Sequence, residues 1–252
     1  MKRYAIGGIL ILVLVVVWYL ATGPLGLVAA VKFPSVGDAY DSVLWLLSPG
    51  YAGASLFVHI RTSVGLVLAG FVMAIATGVP IGILMGWNEL ADSYLNPIFQ
   101  ILRPIAPIAW IPLTILWFGL GITAKIFVIW LAAFAPAVIN THTGIRSLNP
   151  TLVEAAKVLG ASKRRLLWQV AVPNALPTIF AGMQISLQAC WMVLVAAELV
   201  GSFTGLGHIL IIATRDLNPG MIFIAMVCIA ILGMLMNFVL LRIRRKVIPW
   251  RN

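Results

Sequence analysis

The chain has 252 residues, 62% of them hydrophobic and 10% charged, and its mean hydropathy is +1.07. A soluble domain is about 25% charged, so this much apolar surface requires lipid as its solvent. The net charge of +10 does not point to nucleic acid, because the basic residues cluster at Lys2 and Arg3, from Arg146 to Arg165, and from Arg242 to Arg251. Clusters flanking apolar runs are what cytoplasmic loops accumulate.

Hydropathy predicts an all-α fold: a polytopic membrane helix bundle in one transmembrane domain, 1–252, with about six spans at 4–22, 63–87, 94–118, 126–145, 176–199 and 221–241. The first span ends at the breaker Gly23-Pro24. A cleaved signal peptide is the rival reading, with small residues in "VAAV" at 28–31. The apolar run is longer than a usual signal core and the cut would fall well beyond it, so a retained span is expected. Residues 31–62 carry Lys32, Asp38, Asp41, His59 and Arg61, and should form an outside loop with a short helix.

In span two, Gly70, Ala74, Gly78, Gly82 and Gly86 recur every four residues. They make one small-residue stripe where another backbone can approach, within the subunit or across a dimer axis. The loop at 88–93 should be cytoplasmic, although it holds Glu89 and Asp92. Span three is interrupted by Pro97, Pro104, Pro107 and Pro112, and the backbone groups so freed need protein or a polar cavity. Arg103 stands at this break, where it either lines the translocation route or its cytoplasmic gate, or caps the broken helix. Gly119 and Gly121 turn the chain into span four.

The segment "EAAKVLGASKRRLLWQVAVPNALP", 154–177, interrupts the apolar pattern. Residues 151–159 favour helix, Gly160 can stop it in the left-handed conformation, and Ser162 can cap a second helix. That helix should run over 163–170 and end at Pro173. Two short cytoplasmic helices on a tight turn form a docking element for a partner. In span five, Gln184, Gln188, Trp191, Val195, Glu198 and Ser202 share a stripe about 80° wide. It lines an aqueous path or bonds neighbouring helices, with Glu198 open to pairing with Arg103 or Arg215. The three basic clusters then share the cytoplasmic side, and both termini lie inside.

Glu154, Ala155, Ala156, Gly160, Val170 and Pro173 match the EAA loop of ABC-importer permeases; Val172 replaces its usual Leu. "LRPIAPIAWIPLTILWFGLG" (102–121) and "VAAELVGSFTGLGHIL" (195–210) resemble the branch that imports nitrate, taurine and alkanesulfonates, and the likeness covers about 33–250. The resemblance implies a type I importer permease in a bacterial or archaeal inner membrane. It implies a second permease copy, two cytoplasmic ATPase subunits that seat the EAA helices, and a periplasmic or lipid-anchored binding protein. Lys163, Arg164 and Arg165 form the loop's basic flank. The expected solute is a small anion such as a sulfonate, taurine or nitrate.

No phosphate-cradling G-x-x-x-x-G-K-[ST] loop occurs, so ATP and Mg are expected on the partner ATPase and no cofactor on this chain. His59, His142 and His208 are far apart in sequence and predicted depth. Neither they nor Cys190 and Cys228 suggest a metal, a disulfide or a catalytic set. The alternative is an ion-coupled secondary transporter acting without an ATPase, with Glu198 as proton carrier; it has no need of an EAA loop.

Overall fold

The structure, a computed structural model, describes residues 2–22, 33–47 and 50–249. The breaker at Gly23-Pro24, the run at 28–31, Lys32 and Arg251 lie outside the described residues. The elements are α1 (Lys2–Thr22), α2 (Val36–Leu47), α3 (Leu56–Trp87), α4 (Glu89–Leu102), α5 (Ile111–Phe118), α6 (Ile122–Arg146), α7 (Pro150–Val158), α8 (Lys163–Arg165), α9 (Val172–Gly201), α10 (Leu206–Arg215) and α11 (Pro219–Val247). Among the described residues there is no strand, only an isolated bridge between Tyr51 and Ala54.

Among the described residues, four helices are long and apolar enough to cross a membrane: Leu56–Trp87, Ile122–Arg146, Lys163–Gly201 and Pro219–Val247. A fifth crossing comes from α4 and Pro107–Phe118, bent by 82° at a short break. The 21 residues of α1 rise about 32 Å, enough for a sixth.

Helix α3 packs along α6 through its small-residue stripe. A Cβ added at Gly70 would lie 2.5 Å from Ile129, at Gly78 3.0 Å from Ala137, at Gly82 2.6 Å from Thr141 and at Gly86 2.7 Å from Ile145. The offset between partners is constant, so the two helices run parallel with their backbones in close approach. A chain that leaves one helix and enters a parallel neighbour must cross back between them. The bent pair α4–α5 is therefore a broken span rather than a re-entrant loop.

Helix α9 packs antiparallel to α6 by the same device, Gly144 against Ala175 and Gly182 against Asn140. Ser186 Oγ donates to the Ala133 carbonyl at 2.7 Å and Asn140 Nδ2 to the Pro136 carbonyl at 2.8 Å. Both bonds serve carbonyls around Pro136, whose missing N–H disturbs the α6 ladder. The chain divides into two compact units, 1–62 with 202–231 and 63–201 with 232–252; the α3–α6–α9 packing described here belongs to the second.

Several sequence expectations are corrected. Helix α3 begins at Leu56 rather than near residue 63, because both ring nitrogens of buried His59 find backbone partners. Residues 88–93 are not a loop: the Asn88 side chain accepts from the Leu90 and Ala91 amides and restarts the helix at once. Pro173 does not end the second docking helix. A π-helical stretch, Leu166–Ala171, leads into α9, and the Val172 N–H reaches the Leu167 carbonyl five residues back. The wider turn relieves the clash of the Pro173 ring with the carbonyl four residues before it, and 39 helical residues run unbroken from Lys163 to Gly201.

The α3–α6 approach generates a test. Gly82→Ala places a methyl 2.7 Å from the Val138 carbonyl, whereas Gly65→Ala meets nothing within 4 Å. Gly82→Ala should destabilise the purified protein by about 1–3 kcal/mol, read as a lower thermal midpoint, and Gly65→Ala should not. Equal midpoints for the two variants would contradict this packing.

Candidate coupling and translocation sites

The docking element is built from local rules. Asn149 caps α7 by accepting from the Thr151 amide at 2.9 Å, with Pro150 in the first helical position. At the other end, Ala161 N–H bonds the Ala156 carbonyl and Gly160 N–H the Lys157 carbonyl. This is the paired C-terminal bonding that requires a left-handed residue, and Gly160 takes φ +74°. Ser162 then accepts from the Arg165 amide and opens α8.

Val158 and Leu159 project from the tip of this turn, 88% and 86% exposed. Glu154, Ala155, Lys163, Arg164 and Arg165 are also exposed, while Ala156, Val170 and Pro173 are partly buried. The root of the element is a core of Ile145, Ala171, Ala175 and Ile179, against which Ile83 and Trp87 pack. The turn is thus solvent-facing at its tip and bonded to three membrane helices at its base.

Asp92, at the start of α4, bridges to two residues at the end of α6: Arg146 Nη2 lies 2.9 Å from Oδ2 and His142 Nε2 3.1 Å from Oδ1. Sequence reading named Asp92, His142 and Arg146 separately but did not bring them together. Their only signal was an acidic residue one turn past a short reversal. Above the bridge, the break in span three opens a cavity of about 530 Å³ lined by Arg103, Gln100, Asn96, His142 and apolar neighbours.

The span-five stripe divides among different environments. Gln188 is exposed, and Gln184 Nε2 donates to Asn237 Oδ1 of α11 at 3.5 Å. Glu198 is fully buried and accepts from Ser63 Oγ at 2.8 and 3.0 Å. Lys125 of α6 lies within electrostatic reach of the same carboxylate. Ser63 and Lys125, rather than Arg103 or Arg215, are therefore its partners. Ser202 belongs to the other unit, where its hydroxyl donates to the Thr204 carbonyl.

In that first unit α10, which hydropathy did not single out, brings His208 to His59 with ring centroids 6.5 Å apart. This corrects the expectation that the histidines lie far apart. His59 Nδ1 receives the Gly205 N–H at 2.9 Å, which leaves Nε2 to donate to the Tyr51 carbonyl at 3.0 Å. The Tyr51 hydroxyl donates to Asp216; burial first, then this bond and the carboxylate charge, raise the phenol's pKa above its ordinary value. No group of three or more potential metal ligands exists among the described residues.

These features describe a multi-pass helical membrane protein with an exposed two-helix turn, and the comparisons assign its family. Residues 78–251 match the family described as "binding-protein-dependent transport system inner membrane component". The chain belongs to this family, the inner-membrane permeases of ABC importers. It is 35% identical to the taurine transport system permease protein of Escherichia coli over 97% of this chain and 89% of that one. It is 34% identical over its whole length, and 90% of the other, to a Bacillus subtilis protein named as a candidate aliphatic sulfonates transport permease. The fold matches a chain of the inward-facing MetNI methionine ABC transporter with a TM-score of 0.68 at 22% identity, covering 81% of this chain and 97% of that one.

The buried carboxylate is directly testable. Glu198→Ala strands Lys125 and Ser63 and should destabilise by about 3 kcal/mol. Glu198→Gln keeps an acceptor for Ser63 and should recover part of that loss. Thermal midpoints of the three proteins report it, and a wild-type midpoint for Glu198→Ala would exclude a structural role.

Proposed function

We propose that this chain forms the translocation path of an ABC importer for a small anion, working as a homodimer in the inner membrane. Two cytoplasmic ATPase subunits, carrying ATP and Mg, seat the α7–α8 turns, and an extracytoplasmic binding protein delivers the solute. Both termini and the docking turn face the cytoplasm, as the basic clusters suggest. The observation that carries this reading is the exposed Val158–Leu159 tip on a turn whose second arm continues without interruption into α9. Such a lever transmits rigid-body motion of a docked ATPase to the membrane helices; an ion-coupled transporter has no use for it. The aliphatic sulfonates in one relative's name support an anion as solute, and the taurine in another's carries the same sulfonate head.

Docking should fail when the tip is made polar. Val158→Asp with Leu159→Asp should leave the permease folded but cut ATPase co-purification at least about tenfold, a loss of roughly 1.4 kcal/mol or more. Glu154→Lys should act in the same direction. At Gly160 the open space around the missing Cβ means that only backbone strain opposes substitution. Stimulation of ATPase by loaded binding protein should therefore fall in the order Gly, Ala, Val, with a left-handed residue costing about 1–2 kcal/mol. Wild-type coupling in all of these variants would overturn the docking assignment.

The path is tested by thiol labelling in a background lacking Cys190 and Cys228. Gln184→Cys, Gln188→Cys and Ser202→Cys should react with small hydrophilic reagents, at rates that change when ATP and vanadate trap one state. Leu187→Cys and Leu194→Cys, at positions 3% and 0% exposed, should react slowly throughout. Uniformly low labelling of the first three would remove span five from the path.

A further inference from the structure

We infer that the break in span three is itself a binding site for a small organic monoanion with an apolar tail, with Arg103 recognising its charge. This rests on the importer reading above and names the solute class that the membrane domain accepts. The cavity, about 530 Å³, is of the size that holds small ligands. It lies entirely within one compact unit, between α4 and the ends of α3 and α6.

Its charge balance is one-sided. Arg103 closes α4, its own N–H bonded to the Phe99 carbonyl, so the side chain projects from a fixed helix end. Among the described residues no carboxylate pairs with its guanidinium. None lines the cavity either. Asp92, whose Oδ1 lies 3.1 Å from Nε2 of the lining residue His142, has its other oxygen on Arg146. Arg103 is exposed, so its guanidinium is open to a solute entering the cavity, and its planar fork fits the oxygens of a sulfonate or carboxylate.

The remaining walls define the rest of the ligand. Gln100 Nε2 donates to Asn96 Oδ1 at 3.4 Å, which leaves one N–H on Gln100 and two on Asn96 to donate. The lining also includes Met85, Phe99, Val138 and Ile139, apolar surface suited to a short hydrocarbon chain. Nitrate would leave that apolar wall unused. A zwitterion would bring an ammonium to a cavity with no carboxylate to receive it, at the cost of an unpaired charge.

The test uses the permease–ATPase complex without binding protein, in nanodiscs of zwitterionic lipid, titrated calorimetrically with 1-butanesulfonate, taurine and nitrate. Butanesulfonate should bind at least about tenfold more tightly than either competitor. Arg103→Gln should weaken it by at least about tenfold, Arg103→Lys should recover part, and Gln100→Leu should weaken it by about threefold. Butanesulfonate binding within about twofold of wild type in Arg103→Gln overturns the site. If that variant does not assemble, wild-type binding in both Arg103→Lys and Gln100→Leu overturns it equally. Phosphatidylglycerol retained by wild type but not by Arg103→Gln, with no butanesulfonate bound, would make the ligand a lipid headgroup and also overturn it. ATPase stimulation by loaded binding protein is measured on the same wild-type complex. Stimulation without butanesulfonate binding removes the site and leaves the importer; no stimulation removes the importer reading.

Discussion

In hydrocarbon no water is present to satisfy a backbone N–H or C=O, and each unpaired group costs several kcal/mol. That constraint dictates the helices of this chain, and it gives unusual meaning to the places where the helical ladder is disturbed. Pro136 removes one donor from the α6 ladder, and Ser186 and Asn140 add side-chain bonds at the neighbouring Ala133 and Pro136 carbonyls. Pro173 disturbs the approach to α9, and a π-helical stretch absorbs it. At Arg103 to Ala106 the ladder is broken outright and the helix axis turns by 82°. There the chain opens a cavity, one of the two settings, with burial in protein, in which irregular backbone at membrane depth is tolerated.

The same low dielectric sorts the charged side chains. Glu198 is enclosed by Ser63 and Lys125, and Asp92 by His142 and Arg146. The Glu198 arrangement joins helices that the small-residue contacts have already brought together, whereas the Asp92 bridge ties α4 to the end of α6. Arg103 stands apart from both.

Much of this was legible in the residues, and for identifiable reasons. Apolar runs of sufficient length announce helices because lipid leaves no alternative, and the EAA spacing announces the docking turn because Gly160 alone tolerates its φ of +74°. The four-residue glycine period marked a close approach without saying that α6 was the neighbour. Ser63 and Glu198, or Asp92 and Arg146, are separated by dozens of residues, and hydropathy carries no information on which helix ends meet. Helix α10 was missed because its ten residues are too short for a span. Pro173 misled in the other direction: its rule assumes α-helical geometry, and a π turn suspends the clash on which the rule depends.

The continuity through Pro173 changes what the docking turn can do. Had the helix ended there, as proline normally dictates, movement of α7 and α8 would reach the bilayer through a flexible joint. Instead the basic arm, the π stretch and α9 form one rod, braced at its base by Ile145 of α6 and by Ile83 and Trp87 of α3. A tilt at the exposed tip therefore moves α9 directly and loads the glycine-packed α3–α6 pair beside it. The end of α6 also holds Asp92 through His142 and Arg146, and Asp92 begins the helix whose far end carries Arg103. A chain of packed and paired groups thus runs from the docking tip to the cavity at the broken span, so a force applied at one has a physical route to the other.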